Sequence, residues 1–182
     1  MKTNLNPEAE TPDLKLLPDT MTHDLIQILV DNYRNNQLKS VKEKLGIEDA
    51  HSIHFDLATL KKFISEIEAL SLAGNPDIST DDLGIRFYYA AYPKAENWNI
   101  MAQTPVKKEY AGRHTLIMVP TIKKEDENGE PGNYDFNPLA KSGHFEKRAM
   151  ALGKGEDNTE EGVVCQNHGA LIPPDSKKTE FF

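Results

Sequence analysis

Cysteine is nearly absent: one residue, Cys165, in 182. An intramolecular disulfide is therefore excluded, and a reducing compartment is the expected setting. Long apolar runs are missing too. No stretch reaches the roughly 20 residues that a membrane-spanning helix needs. The first residues, Met1-Lys-Thr-Asn-Leu-Asn-Pro-Glu-Ala-Glu, lack the apolar run of a secretory signal. The expected location is cytoplasmic. Basic residues are outnumbered, 21 against 29 acids, for a formal charge of −8. That excess argues against nucleic acid and anionic membrane surfaces as partners, since both call for a basic footprint. Signature motifs are also wanting. There is no Gly-x-Ser-x-Gly elbow and no His-Glu-x-x-His helix. Gly153-Lys-Gly155 lacks the spacing of a phosphate loop, and Asp126-Glu-Asn-Gly-Glu130 lacks the spacing of a calcium loop. No cofactor is expected.

What remains is enough for one folded domain. The length suits a single core, and a hydrophobic content of 38% points to long solvated loops around it. Residues 1–20, proline-rich and acidic, read as a flexible leader. Residues 21–174 read as the domain and 175–182 as a tail. The clearest strand runs over 85–92, where Ile85, Phe87, Tyr89 and Ala91 alternate with Arg86, Tyr88, Ala90 and Tyr92. The other elements are expected to cover it. A second strand, His114 to Thr121, is apolar on both faces and so reads as central, with Pro120 limiting its last ladder bonds. Residues 94–113 between them read as a polar loop, and 123–133 as a solvated acidic loop. Tyr134 to Pro138 reads as a short strand or turn, and residues 163–172 as a last strand broken at Gly169.

Two helical segments precede these strands. Thr20 or Thr22 can cap the first, where Leu25, Ile26, Leu29, Val30 and Tyr33 recur at helical spacing and Leu38, Val41 and Leu45 continue the stripe. Asn35-Asn36 interrupts it, predicting a kink or a break, and Gly46 stops it. Residues 51–56 predict a short strand. Asp56 then caps a second helix with apolar Leu57, Leu60, Phe63, Ile64, Ile67 and Leu70, stapled by Phe55 against Leu60. The expected architecture is α+β: two N-terminal helical segments packed on a small, mostly antiparallel sheet.

Ile85-Arg-Phe-Tyr-Tyr89, Tyr92-Pro93, His114-Thr-Leu-Ile-Met-Val-Pro-Thr121 and Asn167-His-Gly-Ala-Leu-Ile-Pro-Pro174, in that order, resemble a group of uncharacterised bacterial proteins. The resemblance spans about residues 22–174. It implies a shared fold and carries no mechanism.

Three constellations could carry chemistry. Arg86, Tyr88 and Tyr92 share a strand face, with Trp98 nearby in the following loop; a cation flanked by aromatic rings suits an anionic or aromatic ligand. Alternatively, that face is covered, Arg86 is paired with an acid and Trp98 plugs the core. Cys165 and His168 could act as nucleophile and base, with Asn167 between them, although residues three apart in a strand face opposite ways. The plainer reading is a small buried cysteine and a turn-bonding histidine. His114, Asp135 and His168 could converge as an acid–base set or an open metal site, but their spacing matches no metal motif. The first function expected is therefore a non-catalytic binding or interaction module with a protein or small-molecule partner, a second copy of the chain included. The alternative is a small enzyme built on His114, Asp135 and His168, with or without Cys165. A regulatory, immunity-type protein meeting a basic target is a third.

Overall fold

Thr22 opens the first helix, its hydroxyl accepting the Leu25 N–H at 3.3 Å. In the computed structural model, which describes residues 20–139 and 163–175, α1 spans His23–Tyr33 and α2 spans Lys39–Leu45. One wide π-helical turn, Arg34–Leu38, joins them without a break. Asn35-Asn36 lies in that turn, and the Asn36 amide donates to the Asn32 carbonyl at 2.7 Å. Gly46, at φ 65°, ends α2 in the left-handed region. Neither helix fully buries a residue.

Strand β1, Ser52–His54, leads to Asp56 and then to α3, Leu57–Gly74. The Asp56 carboxylate accepts the Thr59 N–H at 2.9 Å and the Thr59 hydroxyl at 2.5 Å. These bonds hold its pKa below the ordinary 3.8. Phe55 and Leu60 both pack on the core, as the staple predicts.

Strand β2, Leu83–Ala91, pairs antiparallel along its whole length with β3, His114–Glu125. β3 then pairs with β4, Pro131–Asp135, so β3 is central and β2 lies at an edge. The last strand, β5, Ala170–Ile172, pairs with β1 in a separate two-stranded sheet. The α+β class expected from the sequence is thus the class observed.

Several local expectations need correction. Residues 123–133 are a hairpin rather than a loop. Asp126 makes its turn, accepting the N–H groups of Asn128 at 2.8 Å and Glu130 at 2.9 Å. Charged residues and Pro131-Gly132-Asn133 hide this pairing from pattern reading, since they suit strands poorly. β3 runs past Thr121 to Glu125, and the Pro120 carbonyl accepts the Phe136 N–H at 3.1 Å. The 94–113 connection carries two 3₁₀ segments, Ala95–Met101 and Lys108–Tyr110. Residues 1–19, residues 140–162 with the Gly153-Lys-Gly155 stretch, and the tail beyond 175 lie outside the described residues.

Two apolar cores form among the described residues. In the first, Phe63 and Ile67 of α3 meet Ile78, Met118, Ile122 and Phe136, with Leu83 and Ile85 at the margin. In the second, Tyr92, Tyr110, Ala50 and Leu171 pack with Trp98, Met101 and Val106. Met118 and Leu171 are completely buried. Opposed residues of an antiparallel pair share a face. Phe87 opposite Met118 and Tyr89 opposite Leu116 therefore lie on the face that α3 begins to cover.

Candidate functional site

Strict alternation over residues 85–92 predicts one face turned inward. The structure shows otherwise: Tyr89 is 93% exposed, Phe87 53% and Tyr88 39%. The cause is the reach of α3, which packs on Leu83 and Ile85 and leaves the rings beyond them open. The outer edge of β2 pairs with no described strand. The end of α1 lies close by. The Tyr33 phenol is pushed up in pKa, first by its own burial and then by the nearby Asp49 and Tyr89. Along α1, Leu25, Ile28 and Leu29 are also exposed. Sequence pattern misses these exposed apolar side chains, since alternation alone cannot say how far a covering helix extends.

Arg86 and Tyr88 lie on the other face. Arg86 donates to the Asp135 carboxylate and, at 2.6 Å, to the Asn133 carbonyl, while the Tyr88 hydroxyl donates to the second Asp135 oxygen. Arg86 is thus paired with an acid across the sheet, and Asp135 is committed to that pair. Tyr92 and Trp98 do not join Arg86 at an open face. Tyr92 follows the strand's end and its ring is buried, 6.2 Å between ring centroids from Trp98 and 5.9 Å from Tyr110. The half-buried Trp98 closes the end of the second core.

His114, Asp135 and His168 are not brought together. Asp135 sits opposite Thr121, seven residues along β3 from His114, which is roughly 23 Å at the rise of a strand. The imidazole of His114 instead meets Asp49. That carboxylate is fully buried. One oxygen accepts the N–H groups of Ala50 at 2.9 Å and His114 at 2.7 Å, and the other accepts from His114 Nδ1. Asp49 is 65 residues from its partner and belongs to no periodic stretch, so sequence offered no signal for it. Among the described residues, no three His, Cys, Asp or Glu side chains gather as metal ligands.

His168 is exposed and lines a cleft of about 300 Å³ with Tyr92, Val106, Lys107, Tyr110 and Asp175. At this cleft the Asp175 carboxylate accepts from Tyr110 at 2.6 Å and Lys107 at 3.0 Å. These bonds, Tyr110 first, hold its pKa below the carboxylate range. Cys165 is exposed, not buried, and among the described residues no hydrogen bond joins it to His168, whose N–H donates to the Gln166 side chain at 3.4 Å. Asn167 contributes its backbone carbonyl, which accepts the Tyr92 hydroxyl at 3.1 Å. No described helix is long and apolar enough to cross a membrane. A comparison with protein-family models, curated proteins and solved structures matches nothing to this chain.

Proposed function

We propose that this chain is a non-catalytic interaction module that docks a protein partner on the outer edge of β2. The observation that carries this reading is Tyr89, 93% exposed within β2, with Phe87 and Tyr88 exposed beside it. A long apolar edge strand offers unpaired N–H and C=O groups as well as ring surface. Strand addition to such an edge is a recurrent mode of recognition, in which the main chain supplies affinity and the side chains specificity. Tyrosine and phenylalanine clusters are also where interface energy concentrates. The cytoplasmic location and the membership of an uncharacterised bacterial family belong to the same proposal. A photo-crosslinking residue at position 89 should give a discrete adduct in a cell extract, and one at the exposed turn residue Glu127 should not. Phe87→Glu should abolish the adduct. Equal adducts from both positions would sink the reading.

A small enzyme is the second reading, favoured by one observation. The buried Asp49 holds Nδ1 of a half-exposed His114 and leaves Nε2 free to move protons. On this reading a hydrolase or isomerase activity would vanish in His114→Gln without loss of fold. A panel of such substrates returning equal rates for both proteins would exclude it.

A further inference from the structure

The partner for β2 is written in the strand itself. β2 has nine residues centred on Phe87. A second β2, antiparallel about a two-fold axis through Phe87, places Arg86 opposite Tyr88 of the other copy, and Ile85 opposite Tyr89. No like charges meet. Arg86 faces a phenol, and the strand carries no carboxylate, so the overall charge of −8 is kept away from the contact. Phe87 meets its own copy and Tyr89 meets Ile85, aromatic–aromatic and aromatic–β-branched pairs of the kind that stabilise sheets.

The same register brings a knob to a hole. A groove of about 240 Å³ lies beside the first half of β2, between α3 and the strand, lined by Ile64, Ile67, Glu68, Thr80, Leu83, Gly84 and Ile85. Tyr89 of the second copy, directly opposite Ile85 and on the same sheet face, arrives at this groove. Ile64, Ile67, Leu83 and Ile85 suit its ring, and Glu68 and Thr80 offer acceptors for its hydroxyl. The two-fold axis makes the contact twice. The three exposed rings supply roughly 350 Å² per protomer at about 200 Å² per aromatic side chain. The strand backbone and the groove walls add to that area, against the roughly 800 Å² per partner of a standard interface.

We propose that the occupant of the β2 edge is a second copy of this chain, joined strand to strand about Phe87, with each Tyr89 seated in the other's Ile64–Ile85 groove. This rests on the docking reading above and names its partner. The resulting sheet would be continuous over six strands.

Sedimentation velocity on the full chain tests it. The expected result is a species of twice 20.4 kDa at micromolar concentration. Tyr89→Lys loses two seats and should raise the dissociation constant about a thousandfold, at roughly thirtyfold per anchor. Ile64→Lys, from the groove side and at an already exposed position, should do the same. Circular dichroism checks that both variants keep their fold. In a Cys165→Ser background, Phe87→Cys should crosslink to itself with a short bis-maleimide. Tyr89→Cys, roughly 14 Å from its own copy in this register, should not. A monomer at 100 micromolar overturns the proposal, as does a dimer indifferent to Tyr89→Lys and Ile64→Lys. A monomer that still forms a Phe87-dependent adduct with another protein overturns self-pairing alone and leaves the docking reading standing.

Discussion

Replacing Asp49 asks how β3 is anchored to the chain before β1. The carboxylate is fully buried and accepts two backbone N–H groups, of Ala50 and His114, besides the imidazole. Asp49→Ala removes all three bonds. An orphaned buried donor costs about 1–3 kcal/mol. Ala50 is buried, whereas the His114 amide is partly open to water, so the second loss is the smaller. The expected destabilisation is about 3 kcal/mol. Asp49→Asn keeps an oxygen that can accept both amides and weakens only the imidazole contact, at a cost of about 1 kcal/mol. Urea unfolding reads both. With a slope near 2 kcal/mol per molar, the alanine variant should lose roughly 1.5 M of midpoint and the asparagine variant about 0.5 M. Equal losses would refute the reasoning, because backbone acceptance would then carry none of the energy. A loss below about 0.5 kcal/mol in Asp49→Ala would refute it altogether, as that is the range of an indifferent surface change.

Met118→Ala empties a fully buried position at the centre of the first core and should cost about 2–5 kcal/mol in the same assay. Ser71→Ala should be neutral or raise stability by up to about 1 kcal/mol, because the buried Ser71 hydroxyl has no partner among the described residues; a clear loss would mean the hydroxyl is satisfied. Tyr110→Phe leaves the buried Leu171 N–H, now at 3.2 Å from the phenol oxygen, without an acceptor and should cost about 1–3 kcal/mol. Asp175 links stability to pH. Its carboxyl is held below the ordinary 3.8 by Tyr110 and Lys107. The folded state therefore favours the ionised form, whose contribution is complete above 3.8 and is lost as pH falls through the lowered folded value. Acid unfolding curves should show that loss in the parent and a smaller one in Tyr110→Phe.

The elements that sequence revealed are those with a strong period or a cap. α3 has both, from the Asp56 cap through Phe63 and Ile67. β3 was legible as central because it is apolar on both faces, and it lies between β2 and β4. Asn35-Asn36 marked the place where the first helix departs from α geometry; of the two forms expected, the break is not observed, since a wide turn keeps hydrogen bonding where a break would lose it. The site was less legible. Tyr92 has the parity of Arg86 and Tyr88, yet the chain leaves the strand after Ala91 and carries its ring into the second core. Phe87 and Tyr89 have the parity of core residues, and only the reach of α3 leaves them outside. Such differences depend on contacts between distant segments, which no local period encodes.

Amide hydrogen exchange across β2 tests the docking claim most directly. If the outer edge of this strand is the docking surface, with a second copy as its occupant, the amides of Gly84 to Ala90 that point away from β3 should exchange slowly at high protein concentration. They should exchange fast on dilution, and fast at every concentration in Tyr89→Lys. Exchange that is the same at all concentrations and unaltered by Tyr89→Lys or by any crosslinked partner would contradict the account.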